Sequence, residues 1–100
     1  MKKFQQKLEE MASIGKIKGL EIQVYTDHNP PHFHVVKKDE YEIKISIKGL
    51  KILKYSWQKD NKKISSKELK ALENWLTKDN TKNKKMTNKE AIQFAWKILN

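Results

Sequence analysis

The segment Asp27-His28-Asn29-Pro30-Pro31-His32-Phe33-His34-Val35 contains all three histidines and both prolines of this 100-residue chain. Two consecutive prolines have a fixed φ and cannot donate to a strand ladder, so residues 28–31 are predicted to form a turn. Residues with the alternation of β-strands lie on both sides of it. The segment is therefore predicted to form the tip of a β-hairpin.

Apolar and polar side chains alternate before and after this turn, which is the period of a strand with one buried face. The inward-facing side chains predicted for the two flanking strands are Leu20, Ile22, Val24, Phe33 and Val35. Residues 41–47 alternate most regularly, and residues 50–57 form a less regular fourth strand. The pattern predicts a four-stranded antiparallel meander over residues 20–57.

Helical spacing appears at both ends of the chain. The apolar residues that share one helical face near the N-terminus are Phe4, Leu8 and Met11. They predict a helix over residues 1–14 that ends at Gly15. Two capping boxes are predicted, one pairing Ser65 with Glu68 and one pairing Thr87 with Glu90. They open two helices between residues 65 and 100, and the predicted fold is a single α+β domain with helices packed on the apolar face of the sheet.

The net charge of +10 indicates an anionic partner, because clustered cations release counterions when they contact phosphates. All 22 basic residues are lysine, whereas arginine is the usual choice for phosphate and base recognition. The charge therefore fits RNA, an acidic protein, or a well-solvated surface. Cysteine is absent, which excludes disulfide and thiolate–metal frameworks.

Residues that pair across an antiparallel ladder point to the same face of the sheet. A four-residue loop would pair Tyr25 with His34, and the following turn would place His34 opposite Lys44. The outward-facing patch predicted by this register consists of Tyr25, Asp27, His32, His34, Glu42, Lys44 and Ser46. These side chains are expected to stand together in water, and a one-residue shift of register would separate them.

The patch has the components of an acid–base site. A carboxylate such as Asp27 favours the protonated form of a neighbouring imidazole and orients it. His32 and His34 could then act as base and acid in phosphodiester cleavage, with Lys44 stabilising developing negative charge. The catalytic candidates are therefore Asp27, His32, His34 and Lys44. The binding candidates around them are Tyr25, His28, Asn29, Pro30, Pro31 and Ser46.

Metal binding is an alternative interpretation of the same residues. His28, His32 and His34 are close in sequence, and neutral imidazole is a ligand for zinc, copper or nickel. The alternation of faces along the strand opposes convergence of all three imidazoles, because His28 continues the inward-facing series of the strand before the turn. His32 and His34, with Asp27, would form a partial site. A third interpretation is structural, with the imidazoles hydrogen-bonding backbone groups of the hairpin.

The same segment resembles the signature (D)H-x-P-P-H-F-H-V of a family of small bacterial proteins of unknown function. The similarity includes the preceding Gly19-Leu20-Glu21-Ile22 and a later helix with Glu73-Asn74-Trp75; it is dense over residues 18–48 and weaker up to residue 76. The resemblance implies a site, or the scaffold of a site, made of His28, Pro30, Pro31, His32, Phe33 and His34.

Proteins of this type are often encoded beside a second small protein, in an arrangement that resembles a toxin–antitoxin pair. The resemblance implies the toxin-like component, with a small antitoxin-like protein partner and an activity on RNA. A cytoplasmic location without membrane contact is expected, since no segment of transmembrane length is present. A non-catalytic protein-interaction module and a histidine metal-binding domain, with a divalent metal such as zinc as cofactor, remain the alternatives.

Overall fold

The structure, a computed structural model, describes residues 11–100. Its strands are β1 (Met11–Ile17), β2 (Leu20–Tyr25), β3 (His32–Lys37), β4 (Tyr41–Ser46) and β5 (Ile52–Gln58). Its helices are α1 (Ser66–Leu76) and α2 (Asn88–Leu99). All neighbouring strands are antiparallel, in the spatial order β1-β2-β3-β4-β5. The α+β class and the antiparallel meander are confirmed, but the sheet has five strands where four were predicted.

The fifth strand replaces the end of the predicted N-terminal helix. Residues 11–14 belong to β1, and residues 1–10 of that prediction lie outside the described part of the chain. Gly15 does not end a helix; it lies in β1, where the pairing with β2 shifts its register. A Cβ at Gly15 would lie 2.8 Å from Cζ2 of Trp75, so the missing side chain admits a ring from α1.

The apolar face of the sheet forms the core with both helices. The inward positions predicted around the turn are all at most 1% exposed. They cluster with Leu72 and Leu76 of α1 and with Ile92 of α2. Full burial of each such side chain contributes about 1.5–3 kcal/mol, so this cluster is the main source of stability in the described residues.

Both predicted capping boxes are present. Ser65 caps α1 and Thr87 caps α2, each reciprocated by the glutamate three residues later. Between the two helices, Asn80 is buried and donates through Nδ2 to the Ile14 carbonyl at 3.1 Å. The connection between the helices is thus held to β1. No helix within residues 11–100 has the length and apolarity needed to cross a lipid bilayer.

The C-terminal end of α2 reaches the histidine turn. Asn100 accepts a hydrogen bond from the backbone N–H of Asp27 at 2.9 Å and donates to the Tyr25 carbonyl at 3.3 Å. The Thr26 hydroxyl donates to the Leu99 carbonyl at 3.2 Å. These contacts fix the segment that enters the turn.

Candidate functional site

The register between β2 and β3 differs from the predicted one by two residues. His34 pairs with Gln23 and not with Tyr25. The pairing ends at Gln23 and His34, so the loop is longer than predicted. In this loop the Asp27 N–H and the Tyr25 carbonyl hydrogen-bond to Asn100. Because the shift is an even number, every side chain keeps its predicted face.

The register between β3 and β4 is as predicted. His34 pairs with Lys44, and His32 pairs with Ser46. The two imidazoles therefore stand on the same face, with ring centroids 5.3 Å apart. The longer loop brings the Asp27 carboxylate over them.

Three side chains meet at one point of this face. Asp27 Oδ2 lies 3.0 Å from His32 Nε2 and 3.7 Å from His34 Nε2. All three ligand atoms lie within 4.8 Å of one another. Tetrahedral zinc with bonds of about 2.05 Å would place its ligand atoms about 3.3 Å apart, and the two distances to Asp27 lie on either side of that value.

The opposite nitrogen of each ring is already hydrogen-bonded. His32 Nδ1 lies 2.8 Å from the Pro30 carbonyl, which can only accept, so this nitrogen carries a proton. His34 Nδ1 lies 3.0 Å from Glu42 Oε2, again an acceptor. His32 Nε2 lies within hydrogen-bond distance of Asp27 Oδ2, so either a proton on this nitrogen or a cation between the three atoms accounts for the contact. A neutral His34 in its tautomer presents the Nε2 lone pair to the same carboxylate.

His34 Nε2 is a buried nitrogen without a hydrogen-bond partner among residues 11–100. Burial lowers the pKa of the His34 imidazole, because a charged ring loses its hydration there, and Glu42 offsets this effect only in part. His34 is therefore a neutral ring at neutral pH. Leaving a buried polar atom unsatisfied costs about 1–3 kcal/mol, so a ligand at this atom would stabilise the fold.

Lys44 supplies a positive charge beside the cluster. Its Nζ lies 3.3 Å from Asp27 Oδ2. Burial by itself would raise the pKa of Asp27, but the N–H of the next residue, the His32 ring and Lys44 together hold that pKa well below its usual range. The carboxylate is thus ionised and available as a ligand.

The imidazoles are buried and do not stand in water, which corrects the expectation of an exposed patch. His32 is 3% exposed and His34 is 5% exposed. Trp96 of α2 packs on His32 with ring centroids 5.3 Å apart, and Tyr25 meets His34 edge-on at 4.3 Å. The predicted outer face is thus covered here by aromatic side chains, and Asp27 forms the more exposed side of the cluster.

The remaining predicted residues lie around the cluster and outside it. His28 is exposed and does not belong to the group of three ligand atoms, where Asp27 takes the third position. His28 and Asn29 line an open cavity of about 470 Å³ beside Asp27 and Trp96. Pro31 accepts through its carbonyl from the Ile47 N–H at 3.1 Å. The Ser46 hydroxyl instead bonds within the turn from β4 to β5.

Some contributors had no assigned role in the sequence analysis. Glu42 was placed in the patch by parity, but its bond to His34 depends on side-chain conformation. Trp96 lies in α2 and Asn100 caps its C-terminal end, and no local pattern predicts that this end of the helix meets the turn. Their contribution depends on tertiary packing, which helical periodicity does not encode.

Comparison with protein families identifies one match, over residues 19–86, to a model described as "Domain of unknown function (DUF4160)". This span covers more than half of the chain and includes the turn, all three histidines and α1. No curated protein matched the chain. No solved structure matched it. On the extent of the family match, the chain belongs to this family of unknown function, DUF4160.

Proposed function

We propose that the protein binds a divalent metal ion through Asp27 Oδ2, His32 Nε2 and His34 Nε2. The observation that carries the proposal is the buried His34 Nε2, which has no hydrogen-bond partner in the described part of the chain and lies 3.7 Å from the ionised Asp27 carboxylate. A metal ion would accept this lone pair. It would also lie between the Asp27 carboxylate oxygen and Nε2 of the second ring, His32.

The ligand set favours zinc. Two imidazole nitrogens and one carboxylate oxygen are typical zinc ligands, and three protein ligands leave one position for water or a substrate. Metal-binding histidines usually donate their other N–H to a carboxylate or a backbone carbonyl. Glu42 and the Pro30 carbonyl supply these two acceptors.

Isothermal titration calorimetry of the full chain with ZnCl₂ tests the proposal. One zinc ion should bind per chain, and Asp27→Asn should weaken binding at least tenfold because it removes the anionic ligand while keeping the shape. His28→Ala is the matched control and should bind as the wild type does. Circular dichroism would verify that each variant is folded. Absence of binding, or equal loss in the His28 variant, would refute the assignment.

The second candidate function is the toxin-like cleavage of RNA by acid–base catalysis without a metal. It is favoured by the 3.0 Å contact between His32 Nε2 and Asp27, together with Lys44 at 3.3 Å from the same oxygen. A protonated His32 would act as the acid, and Lys44 would stabilise the charge that develops on a phosphodiester. The charge of +10 supports attraction of RNA.

Cleavage of a labelled RNA with and without EDTA distinguishes the two candidates. Activity that persists in EDTA and disappears in His32→Ala would support acid–base catalysis. Activity lost in EDTA and restored by zinc would support a metal-dependent reaction. If neither the wild type nor the zinc-loaded protein cleaves RNA, and expression leaves growth unchanged, the toxin-like function is wrong.

A further inference from the structure

Strand β5 forms one edge of the sheet. Within residues 11–100, β5 pairs only with β4, and no other strand pairs with its outer side. Three large apolar side chains of this strand are exposed, Ile52 (41%), Leu53 (41%) and Trp57 (48%). An edge of this kind offers unpaired backbone groups and apolar contacts together.

Its surroundings are strongly cationic. Residues 48–63 contain one acidic residue, Asp60, and the following exposed lysines: Lys48, Lys51, Lys54, Lys59, Lys62 and Lys63. A second copy of this chain would bring the same charges to the edge, and like charges that face each other oppose pairing. The lysines thus disfavour self-association through β5 and favour an acidic strand.

The geometry of β5 makes the edge selective. Its pairing with β4 shifts register twice, around Leu53 and around Ser56. Such bulges twist an edge and suppress indiscriminate strand pairing. Trp57 pairs with Glu42, so its ring lies on the face that also carries His34. A segment added beside β5 would therefore contact Trp57 on the face that carries the Asp27/His32/His34 cluster, two strands away from His34.

We propose that β5 binds an extended acidic segment of a partner protein, which adds to the sheet as a sixth strand. Backbone pairing would provide the hydrogen bonds, Ile52 and Trp57 the apolar contacts, and Lys51 and Lys54 the charge complementarity. Nucleic acid is a weaker fit, because Trp57 is the one exposed aromatic ring of β5 and the chain has no arginine. This inference is independent of the metal-binding proposal.

An NMR titration of the ¹⁵N-labelled full chain tests the inference. The probes are a synthetic peptide of alternating valine and glutamate, a peptide of alternating valine and lysine, and an oligouridylate. The acidic peptide should shift the amide resonances of Ile52–Gln58 and slow their hydrogen exchange. The basic peptide should leave them unchanged. No shift in β5 with millimolar acidic peptide would overturn the inference.

Two pairs of surface variants complete the test. Lys54→Glu should weaken binding of the acidic peptide about fivefold to tenfold, and Trp57→Ala should weaken it by a similar factor. Lys89→Glu and Phe94→Ala change exposed residues of α2 and should have no effect. Equal effects in both pairs would refute a docking site on β5. Tighter binding of the oligouridylate at the same amides would overturn the inference and indicate that β5 binds RNA. A concentration-dependent dimer that forms through β5 would also overturn it and indicate that β5 binds a second copy of the chain.

Discussion

Lys44 and a metal ion would compete for the same carboxylate oxygen. The ammonium lies 3.3 Å from Asp27 Oδ2, and its side chain is 27% exposed, so it can turn towards solvent. A divalent ion placed among Asp27, His32 and His34 would be repelled by this charge. Lys44 would therefore lower the affinity of the proposed site for a metal ion.

We expect Lys44→Met to increase zinc affinity roughly tenfold, equivalent to about 1.4 kcal/mol, because the competing ammonium is removed. Calorimetry under identical salt conditions measures the change. Lys54→Met is the matched control, since Lys54 pairs with Lys44 in the sheet but forms no ion pair with Asp27. Unchanged or reduced affinity in Lys44→Met would show that the ammonium does not compete.

Glu42 should affect the zinc affinity of the proposed site through its hydrogen bond with His34. Its carboxylate accepts from Nδ1 at 3.0 Å and so keeps the lone pair on Nε2. We expect Glu42→Leu to reduce zinc affinity by about 10-fold to 100-fold. Glu42→Gln should lose less, because its amide oxygen still accepts the bond. If Glu42→Leu binds zinc as tightly as the wild type does, Glu42 does not position the ligand.

At the level of secondary structure, α1 is held to the sheet by Glu68. This side chain accepts from Lys37 Nζ at 2.6 Å, from the Tyr41 hydroxyl at 3.0 Å and from the Ser65 N–H at 2.9 Å. The capping box was predictable from the spacing of Ser65 and Glu68. The contacts with β3 and β4 were not, because they depend on where α1 packs.

Glu68 should make stability depend on acidic pH. Burial opposes its ionisation, but the bonds with Lys37, Ser65 and Tyr41 outweigh burial and hold its pKa below the ordinary value of 4.5. The folded state therefore binds this proton less readily than the unfolded state. The contribution is present above pH 4.5 and is lost as the pH falls through the lower pKa of the folded state.

We expect Glu68→Gln to reduce the free energy of unfolding at pH 7 by about 1–2 kcal/mol and to flatten its decrease in acid. Urea denaturation at a series of pH values measures both effects. Glu73→Gln, on the exposed part of the same helix, should change neither quantity appreciably. Parallel pH curves for the wild type and Glu68→Gln would contradict the assignment.

Gly15 makes the contact between β1 and α1 possible. Because a Cβ there would lie 2.8 Å from the Trp75 ring, we expect Gly15→Ala to destabilise the protein by about 1–3 kcal/mol. Chemical denaturation measures the loss. Combining it with Trp75→Leu should recover part of the loss, since the leucine is smaller. Strictly additive effects of the two substitutions would argue against a steric clash.

The sequence determined the meander and the faces of its strands more reliably than the extent of the sheet. Leu20, Ile22 and Val24 alternate strictly, and parity alone placed His32 and His34 on one face. The pattern of Phe4, Leu8 and Met11 favoured a helix, whereas Met11 belongs to a strand that is paired with β2. Pairing between β1 and β2 depends on a distant partner, which local periodicity does not reveal.

The burial of the site could not be predicted, because it comes from the opposite end of the chain. Trp96 of α2 packs on His32, and Asn100, which follows the last residue of α2, hydrogen-bonds to Asp27 in the turn. As a result, the site combines the turn of a hairpin with the end of the last helix. Local unfolding of α2 should therefore weaken the cluster, and occupancy of the cluster should stabilise the described chain as a whole.

We expect zinc to raise the free energy of unfolding by about 2.7 kcal/mol at a free concentration one hundred times the dissociation constant. Thermal unfolding followed by circular dichroism measures the shift. The increase should disappear in Asp27→Asn and persist in His28→Ala. An equal increase in both variants would indicate zinc binding elsewhere on the chain.

A crystal structure of the full chain grown with zinc, with diffraction data collected on both sides of the zinc absorption edge, tests the assignment of the metal site most directly. We expect one anomalous peak about 2.0–2.2 Å from Asp27 Oδ2, His32 Nε2 and His34 Nε2. Glu42 and the Pro30 carbonyl should still accept from the two Nδ1 atoms. A zinc-containing crystal with no peak at this point, or with the ion held by His28 instead, would contradict it.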